Sequence, residues 1–329
     1  GLYLPETWPQ FSTNDIAAMA GKSYAEVAAQ IMWPFVDGEI ERETFETIVR
    51  QAYGTFRHAA VCPLVQIDTN VHVMELFHGP TLAFKDVAMQ LISRLMDHVL
   101  TQRDQRATIV GATSGDTGGA AIDAFAGMER TDMFILFPQG RVSPVQQRQM
   151  TSSGAANVHA LAIEGNFDDC QNLVKAMFNH TAFRNEVSLS GINSINWARI
   201  MAQIVYYFTT AVTLGAPHRP ISFSVPTGNF GDILAGYAAK RMGLPVDKLV
   251  IATNDNDILA RTIETGRYAM QGVVATTSPS MDIQISSNFE RLLFEVYDRD
   301  AQKVRNAMES LKQSGAFDIE PAALARIRA

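Results

Sequence analysis

The chain has 329 residues, 47% of them apolar and 19% charged, an ordinary globular composition and more chain than one compact core absorbs. Its net charge of −7, with no basic block, argues against nucleic acid and against an anionic membrane surface as partners. Two distant cysteines, Cys62 and Cys170, form no C-x-x-C pair and no disulfide framework, so a reducing cytoplasm is the expected compartment.

No uninterrupted apolar run reaches the roughly 18 residues of a membrane span. The opening Gly1-Leu2-Tyr3-Leu4-Pro5 has no Met and no basic-then-apolar leader pattern. Residues 12–57 read as helical. Ser12 to Asp15 offers caps, Tyr24, Val27, Ala28 and Ile31 recur at helical spacing, and a further helix begins near Glu41. This stretch, taken as 1–60, carries no reactive constellation and is expected to be a helical N-terminal lobe.

Beyond residue 61 the pattern changes. Val71–Phe77, Thr108–Val110, Met133–Phe137, Val158–Ile163, Ile221–Val225 and Leu249–Ala252 read as buried strands. Helices are expected at 83–100, 117–127, 143–151, 167–180, 195–213, 230–242 and 256–266, and a charged helical tail from Asn288. This alternation predicts an α/β fold with mostly parallel strands. Ligands in such folds sit beyond the carboxyl ends of strands, often at helix N-termini.

The loops after the strands therefore hold the candidate chemistry. In His78-Gly-Pro-Thr-Leu-Ala-Phe-Lys85-Asp86, Gly79-Pro80 breaks the chain and Thr81 is placed to cap a helix whose first turns carry Lys85. An amine among Phe84, Val87 and Ala88 loses hydration, which lowers its pKa and makes it a better nucleophile. The plainer alternative is a surface lysine paired with Asp86. Gly111-Ala-Thr113-Ser114-Gly115-Asp116-Thr117-Gly118 runs from a strand into an Ala-rich helix, offering N–H groups and hydroxyls suited to a carboxylate. A capped strand-to-helix turn is the alternative. Pro226-Thr227-Gly228-Asn229-Phe230-Gly231-Asp232 repeats that logic for a phosphate. It is neither a Walker A loop nor G-x-G-x-x-G. Asn193, Ser194 and Arg199 offer amide, hydroxyl and guanidinium donors for a phosphate dianion, or else an ordinary helix start with an exposed arginine. The seven histidines show no metal-ligand spacing, so no metal is expected.

Together, and in this order, these segments resemble the threonine synthase family, in its bacterial and fungal branch. The likeness runs from the first residues to about Phe289. It implies a fold-type II enzyme dependent on pyridoxal 5′-phosphate (PLP), with two α/β domains beside the helical lobe. The smaller, mobile domain is expected at 106–190 and the larger at 61–105 with 191–329. The resemblance implies Lys85 as the catalytic Schiff-base lysine. It implies Gly228, Asn229, Phe230, Gly231 and Asp232 at the cofactor phosphate, with Asp232 acting indirectly because a carboxylate is odd in an anion loop. Asp116 stands where many fold-type II enzymes have Asn near the cofactor's 3′-oxygen. Thr113, Ser114 and Thr117 would hold the substrate carboxylate, and Asn193, Ser194 and Arg199 its phosphate. The family's downstream Thr-x-His-Pro-x-Lys-Phe segment, which meets the pyridine nitrogen, does not occur up to Ala329. The implied reaction converts O-phosphohomoserine to threonine, in a monomer or homodimer. A phospholyase, a dehydratase or β-replacement enzyme of the same fold, and a non-catalytic phosphate-metabolite binder remain alternatives.

Overall fold

The computed structural model describes residues 2–329. Three helices, α1 (Thr13–Ala17), α2 (Tyr24–Met32) and α3 (Arg42–Tyr53), form the first part of the chain. Reciprocal capping boxes start the first two. Ser12 Oγ accepts from Asp15 N–H while the Asp15 carboxylate takes Ser12 N–H, and Ser23 and Glu26 repeat the exchange. Tyr24 and Tyr53 meet edge to face, ring centres 4.8 Å apart, locking α2 on α3.

A hairpin follows, β1 (Leu64–Asp68) antiparallel to β2 (Val71–Met74). The sequence reading expected one buried strand over Val71–Phe77. The strand instead ends at Met74 and is half exposed, because its only partner is β1 and no sheet covers its outer face. The run Val71-His-Val-Met-Glu-Leu-Phe77 alternates apolar with polar residues only in part, so periodicity alone did not separate the two cases.

The next units are α4 (Asp86–Gln102), β3 (Ala107–Ala112), α5 (Asp116–Phe125), β4 (Thr131–Pro138), α6 (Pro144–Thr151), β5 (Val158–Ile163), α7 (Phe167–Asn179), α8 (Thr181–Glu186) and β6 (Leu189–Ser190). Their strands form one parallel sheet in the order β5-β4-β3-β6. The helix expected at 167–180 is followed by a second. His180 leaves helical geometry, and its Nδ1 accepts from Phe183 N–H to start α8. Strand β6 has only two residues, too short to carry a periodic signal.

The chain continues through α9 (Trp197–Thr213), β7 (Ile221–Pro226), α10 (Gly231–Arg241), β8 (Val246–Ala252), α11 (Ile258–Thr265), β9 (Arg267–Ala269), α12 (Phe289–Val296), α13 (Ala301–Ser314), β10 (Ala316–Asp318) and α14 (Pro321–Arg328). β7 and β8 pair in parallel, and β10, which interrupts the tail read as helical, forms a short antiparallel pair with β9. Helix α9 is the central post. Ile200, Met201, Ile204, Val205, Tyr206, Tyr207 and Phe208 are all buried on it, and it packs on α2, α4 and α10. A helix apolar all round belongs in a core. This one carries Arg199 at its buried start. No helix of the described residues is long and apolar enough to cross a membrane.

Candidate active site

Lys85 does not lie in the first turn of α4, as expected, but at its N-cap. The preceding residues form a tight turn with Leu82 at φ +64°. Asp86 explains the turn: its carboxylate accepts from Thr81 N–H at 2.8 Å and Thr81 Oγ at 2.7 Å. Thr81 therefore braces the turn and does not cap the helix from outside. A Cβ on Gly79 would overlap that carboxylate, so glycine is required there. With Asp86 occupied, Lys85 is not its surface partner. Lys85 is buried, and its Nζ donates to Asp116 Oδ2 at 3.2 Å. Burial holds the amine below the ordinary lysine range. Asp116 opposes that shift and the Arg199 guanidinium adds to it.

Asp116 opens α5 just beyond β3. Thr113 Oγ accepts from Gly115 N–H and Gly118 N–H, both at 2.9 Å, so this side chain shapes the turn from inside. Gly115 sits at φ +141°, and a Cβ there would overlap the Gln146 carboxamide. Gln146, at the start of α6, donates its Nε2 to the other oxygen of Asp116. The N–H groups of Ser114, Asp116 and Thr117 and the hydroxyls of Ser114 and Thr117 have no protein acceptor among the described residues. Ser114 and Thr117 face the cleft.

Across the cleft, β7 ends in the second glycine turn. The N–H groups of Gly228, Asn229, Phe230 and Gly231 find no protein acceptor among the described residues. Their carbonyl sides are occupied: Ser286 Oγ donates to Gly228 O at 2.7 Å, and Asn288 donates to Asn229 O. Met281 Cα closes over Gly228, where a Cβ would stand 3.3 Å away. Phe230 is held at φ +62°, its ring against Phe289. The Asp232 side chain makes no helix-capping bond. Tyr206 and Tyr207 both donate their phenol O–H to it, and burial pushes its carboxyl above the usual range.

Arg199 is buried, with Nη1 donating to Ile192 O at 3.1 Å and Nε without a partner. Burial depresses it to about 10. The side chains of Asn193 and Ser194 also lack protein partners among the described residues and line the same cleft. One cavity of about 1910 Å³ thus brings together Lys85, Ser114, Thr117, Asn193, Ser194, Arg199 and the turn 228–232. An unpaired amide cradle, a desolvated amine and room between them suit a phosphorylated aldehyde cofactor. A second unpaired cationic subsite suits a second phosphate.

Sequence reasoning missed Gln146, Tyr206, Tyr207, Ser286 and Asn288. Two adjacent phenols on the mostly apolar α9 were a visible signal, since buried hydroxyls need partners. The others left none.

The parallel-rich fold, the buried amine and the amide cradle define a fold-type II enzyme dependent on PLP. Residues 60–329 match the family described as pyridoxal-phosphate dependent enzyme, and residues 1–53 match the threonine synthase N terminus. The chain belongs to the threonine synthase family. It is 54% identical to the threonine synthase of Pseudomonas aeruginosa over 320 residues, covering 97% of this chain and 68% of that protein. It is 43% identical to that of Saccharomyces cerevisiae over 349 residues, covering 97% and 67%. The crystal structure of PLP-bound threonine synthase from Brucella melitensis superposes with a TM-score of 0.98 at 70% identity, covering all of this chain and 71% of that one. The Escherichia coli enzyme superposes at 0.80 with 35% identity, covering all of this chain and 78% of that one.

Proposed function

We propose that this chain converts O-phospho-L-homoserine and water to L-threonine and phosphate. The observation that carries the reading is the shared cleft: the Lys85 amine, the unpaired N–H groups of 228–231 and the Arg199 subsite all open into it. Enzymes that act on unphosphorylated amino acids need only one phosphate site, the cofactor's. Here, among the described residues, there are three sets of unpaired anion donors, the α5 turn for a carboxylate and two more, at 228–231 and at Arg199, for two phosphates.

Pyridoxal phosphate, when bound, supplies the electron sink that makes the substrate's α- and β-protons removable. The N–H groups of Gly228 to Gly231 hold its phosphate, aided by the N-terminus of α10. Asp232 works from behind, fixing the start of α10 on α9 through Tyr206 and Tyr207. Ser114 and Thr117, with the amides of the α5 turn, receive the substrate carboxylate, and Thr113 holds that turn in shape. Asn193, Ser194 and Arg199 bind the substrate phosphate and stabilise it as it leaves the γ-carbon. Lys85 Nζ moves the protons. Its lowered pKa keeps a larger neutral fraction near neutral pH than an exposed lysine has, as a base requires. Asp116 orients the amine and, held by Gln146, would face the cofactor's 3′-oxygen.

In this reading residues 106–190 form a smaller unit that closes on the remainder. The enzyme works as a monomer or homodimer in the cytoplasm, which the two free cysteines favour. The deciding experiment incubates the cofactor-loaded protein with O-phosphohomoserine and follows phosphate and threonine together. Equimolar release of both is expected. Keto acid and ammonia in place of threonine would replace the synthase by a phospholyase, and no phosphate at all would sink both.

A further inference from the structure

A backbone turn that binds an anion must point its N–H groups inward. Its carbonyls then point into protein and need donors there, because an unpaired buried carbonyl is costly. The donors behind the turn at 228–231 come from one short segment just before α12. Ser286 Oγ takes Gly228 O at 2.7 Å. Asn288 takes Asn229 O twice, from its backbone N–H at 3.1 Å and from Nδ2 at 2.9 Å.

The same Nδ2 makes a second bond, to Ser194 O at 3.0 Å. Ser194 belongs to the other anion subsite, 94 positions away in the chain. Both hydrogens of one carboxamide are therefore spent on two loops. Its Oδ1 accepts from Arg291, whose Nη2 donates to Ile195 O at 2.7 Å and whose Nε donates to Tyr3 O at 2.9 Å. That acceptor bond also fixes which end of the carboxamide faces the carbonyls. Asn288 is fully buried and Arg291 nearly so.

We propose that Asn288 is a positioning residue that couples the two phosphate subsites: it fixes the peptides at 194 and 229 relative to each other, so that filling the cofactor cradle pre-orders the subsite for the substrate's phosphate. This rests on the functional reading above. Asn288 touches neither ligand. It sets the distance and orientation between the two cradles, and a carboxamide is the side chain that donates twice while accepting once. Occupancy of one cradle stiffens a peptide that the other shares, which is positive coupling through order.

The test uses Asn288→Asp, which keeps an acceptor for Arg291 and replaces the donor pair with an oxygen facing two carbonyls. Ser286→Ala serves as a second variant that loosens only the cofactor side. Cofactor affinity is read by absorbance titration. Affinity for inorganic phosphate is read by calorimetry, with and without cofactor. In the unmodified chain the cofactor is expected to tighten phosphate binding, and in Asn288→Asp that tightening disappears. Both affinities of Asn288→Asp should weaken by about tenfold, as loss of one or two buried hydrogen bonds implies. KM for the phosphorylated substrate rises with them, more than kcat falls. Ser286→Ala should weaken the cofactor, and phosphate at the empty cofactor cradle, and leave phosphate binding to the cofactor-saturated protein unchanged. If Asn288→Asp fails to fold, the inference stands or falls on two results. These are the coupling in the unmodified chain and its loss in the milder Asn288→Gln, whose longer arm cannot reach both carbonyls from the same backbone. A chain that binds cofactor normally yet shows no coupling, or an Asn288 variant that retains it, overturns the inference and leaves the function intact. A chain that binds no cofactor overturns both.

Discussion

Lys85 Nζ and Asp116 Oδ2 stand 3.2 Å apart, joining the start of α4 to the start of α5 across 31 positions of chain. The pair joins the turn that carries Lys85 to the turn proposed to receive the substrate carboxylate. It also sets the amine's proton affinity, since burial and Arg199 push it down while Asp116 pushes back.

Asp116→Asn removes the only opposing influence, so the Lys85 amine is expected to titrate lower still in the cofactor-free protein. The pH dependence of its labelling by an amine-selective reagent should shift to more acidic values. The sign carries to stability. A lysine depressed in the folded state binds fewer protons folded than unfolded, so its penalty is full below the folded pKa and vanishes as pH rises to the unfolded value near ~10.4. The variant should therefore be less stable than the parent near neutral pH, with the gap closing in alkaline buffer. A labelling profile unmoved or shifted upward would count against the electrostatic account.

Lys85→Ala removes the proposed proton carrier from the cleft. Turnover is expected to fall by at least about 10²–10⁴-fold, the usual contribution of a positioned acid–base group. The visible band of lysine-bound cofactor should vanish, while cofactor still binds weakly through the cradle at 228–231. A variant with parental spectrum and rate would refute the assignment of Lys85.

Arg199→Lys keeps a charge but loses the fork and the free Nε. KM for the phosphorylated substrate should rise about tenfold to a hundredfold, the worth of a charge-assisted hydrogen bond. Cofactor affinity should change little. Steady-state kinetics beside a cofactor titration separate the two, and a selective loss of cofactor would reassign the subsite.

Gly115→Ala forces a side chain into φ +141° and onto the Gln146 carboxamide. A destabilisation of more than about 1 kcal/mol is expected in a denaturant melt. Gln146 must move, so Asp116 loses a partner and activity falls further than stability alone accounts for. Gln146→Ala should reproduce the activity loss with only the smaller stability loss of the α6 capping box it forms with Ser143.

Asp232→Ala takes the shared carboxylate from two buried phenols, leaving Tyr206 with Gln203 Oε1 at 3.2 Å and Tyr207 with the carbonyl of residue 232 at 3.0 Å, and should cost about 1 kcal/mol. Asp232→Asn still offers Tyr206 and Tyr207 an acceptor and avoids a buried charge. Because burial raises the Asp232 carboxyl, its penalty grows as pH rises through the folded pKa. The Asn variant should therefore gain on the parent from acid toward neutral pH in paired thermal melts. A parent that outruns it with rising pH would show the carboxylate to be favoured.

The sequence alone determined whatever is written in short-range backbone chemistry. Gly79, Gly115 and Gly228 mark places where a Cβ collides or crowds, and the strands ahead of the turns at 113 and 228 are readable as apolar runs. These constraints act within a few residues, so the order of the three segments and the residues facing the cleft were legible. Only the tertiary structure decided who stands behind them. Gln146 behind Asp116, Tyr206 and Tyr207 behind Asp232, and Asn288 behind Ser194 and Asn229 are joined across 25 to 94 positions. The same packing moved Lys85 from a helical turn to a cap and left β2 half exposed. Hydrogen-bond partners at that range follow from which elements pack together, and no local propensity or spacing encodes that.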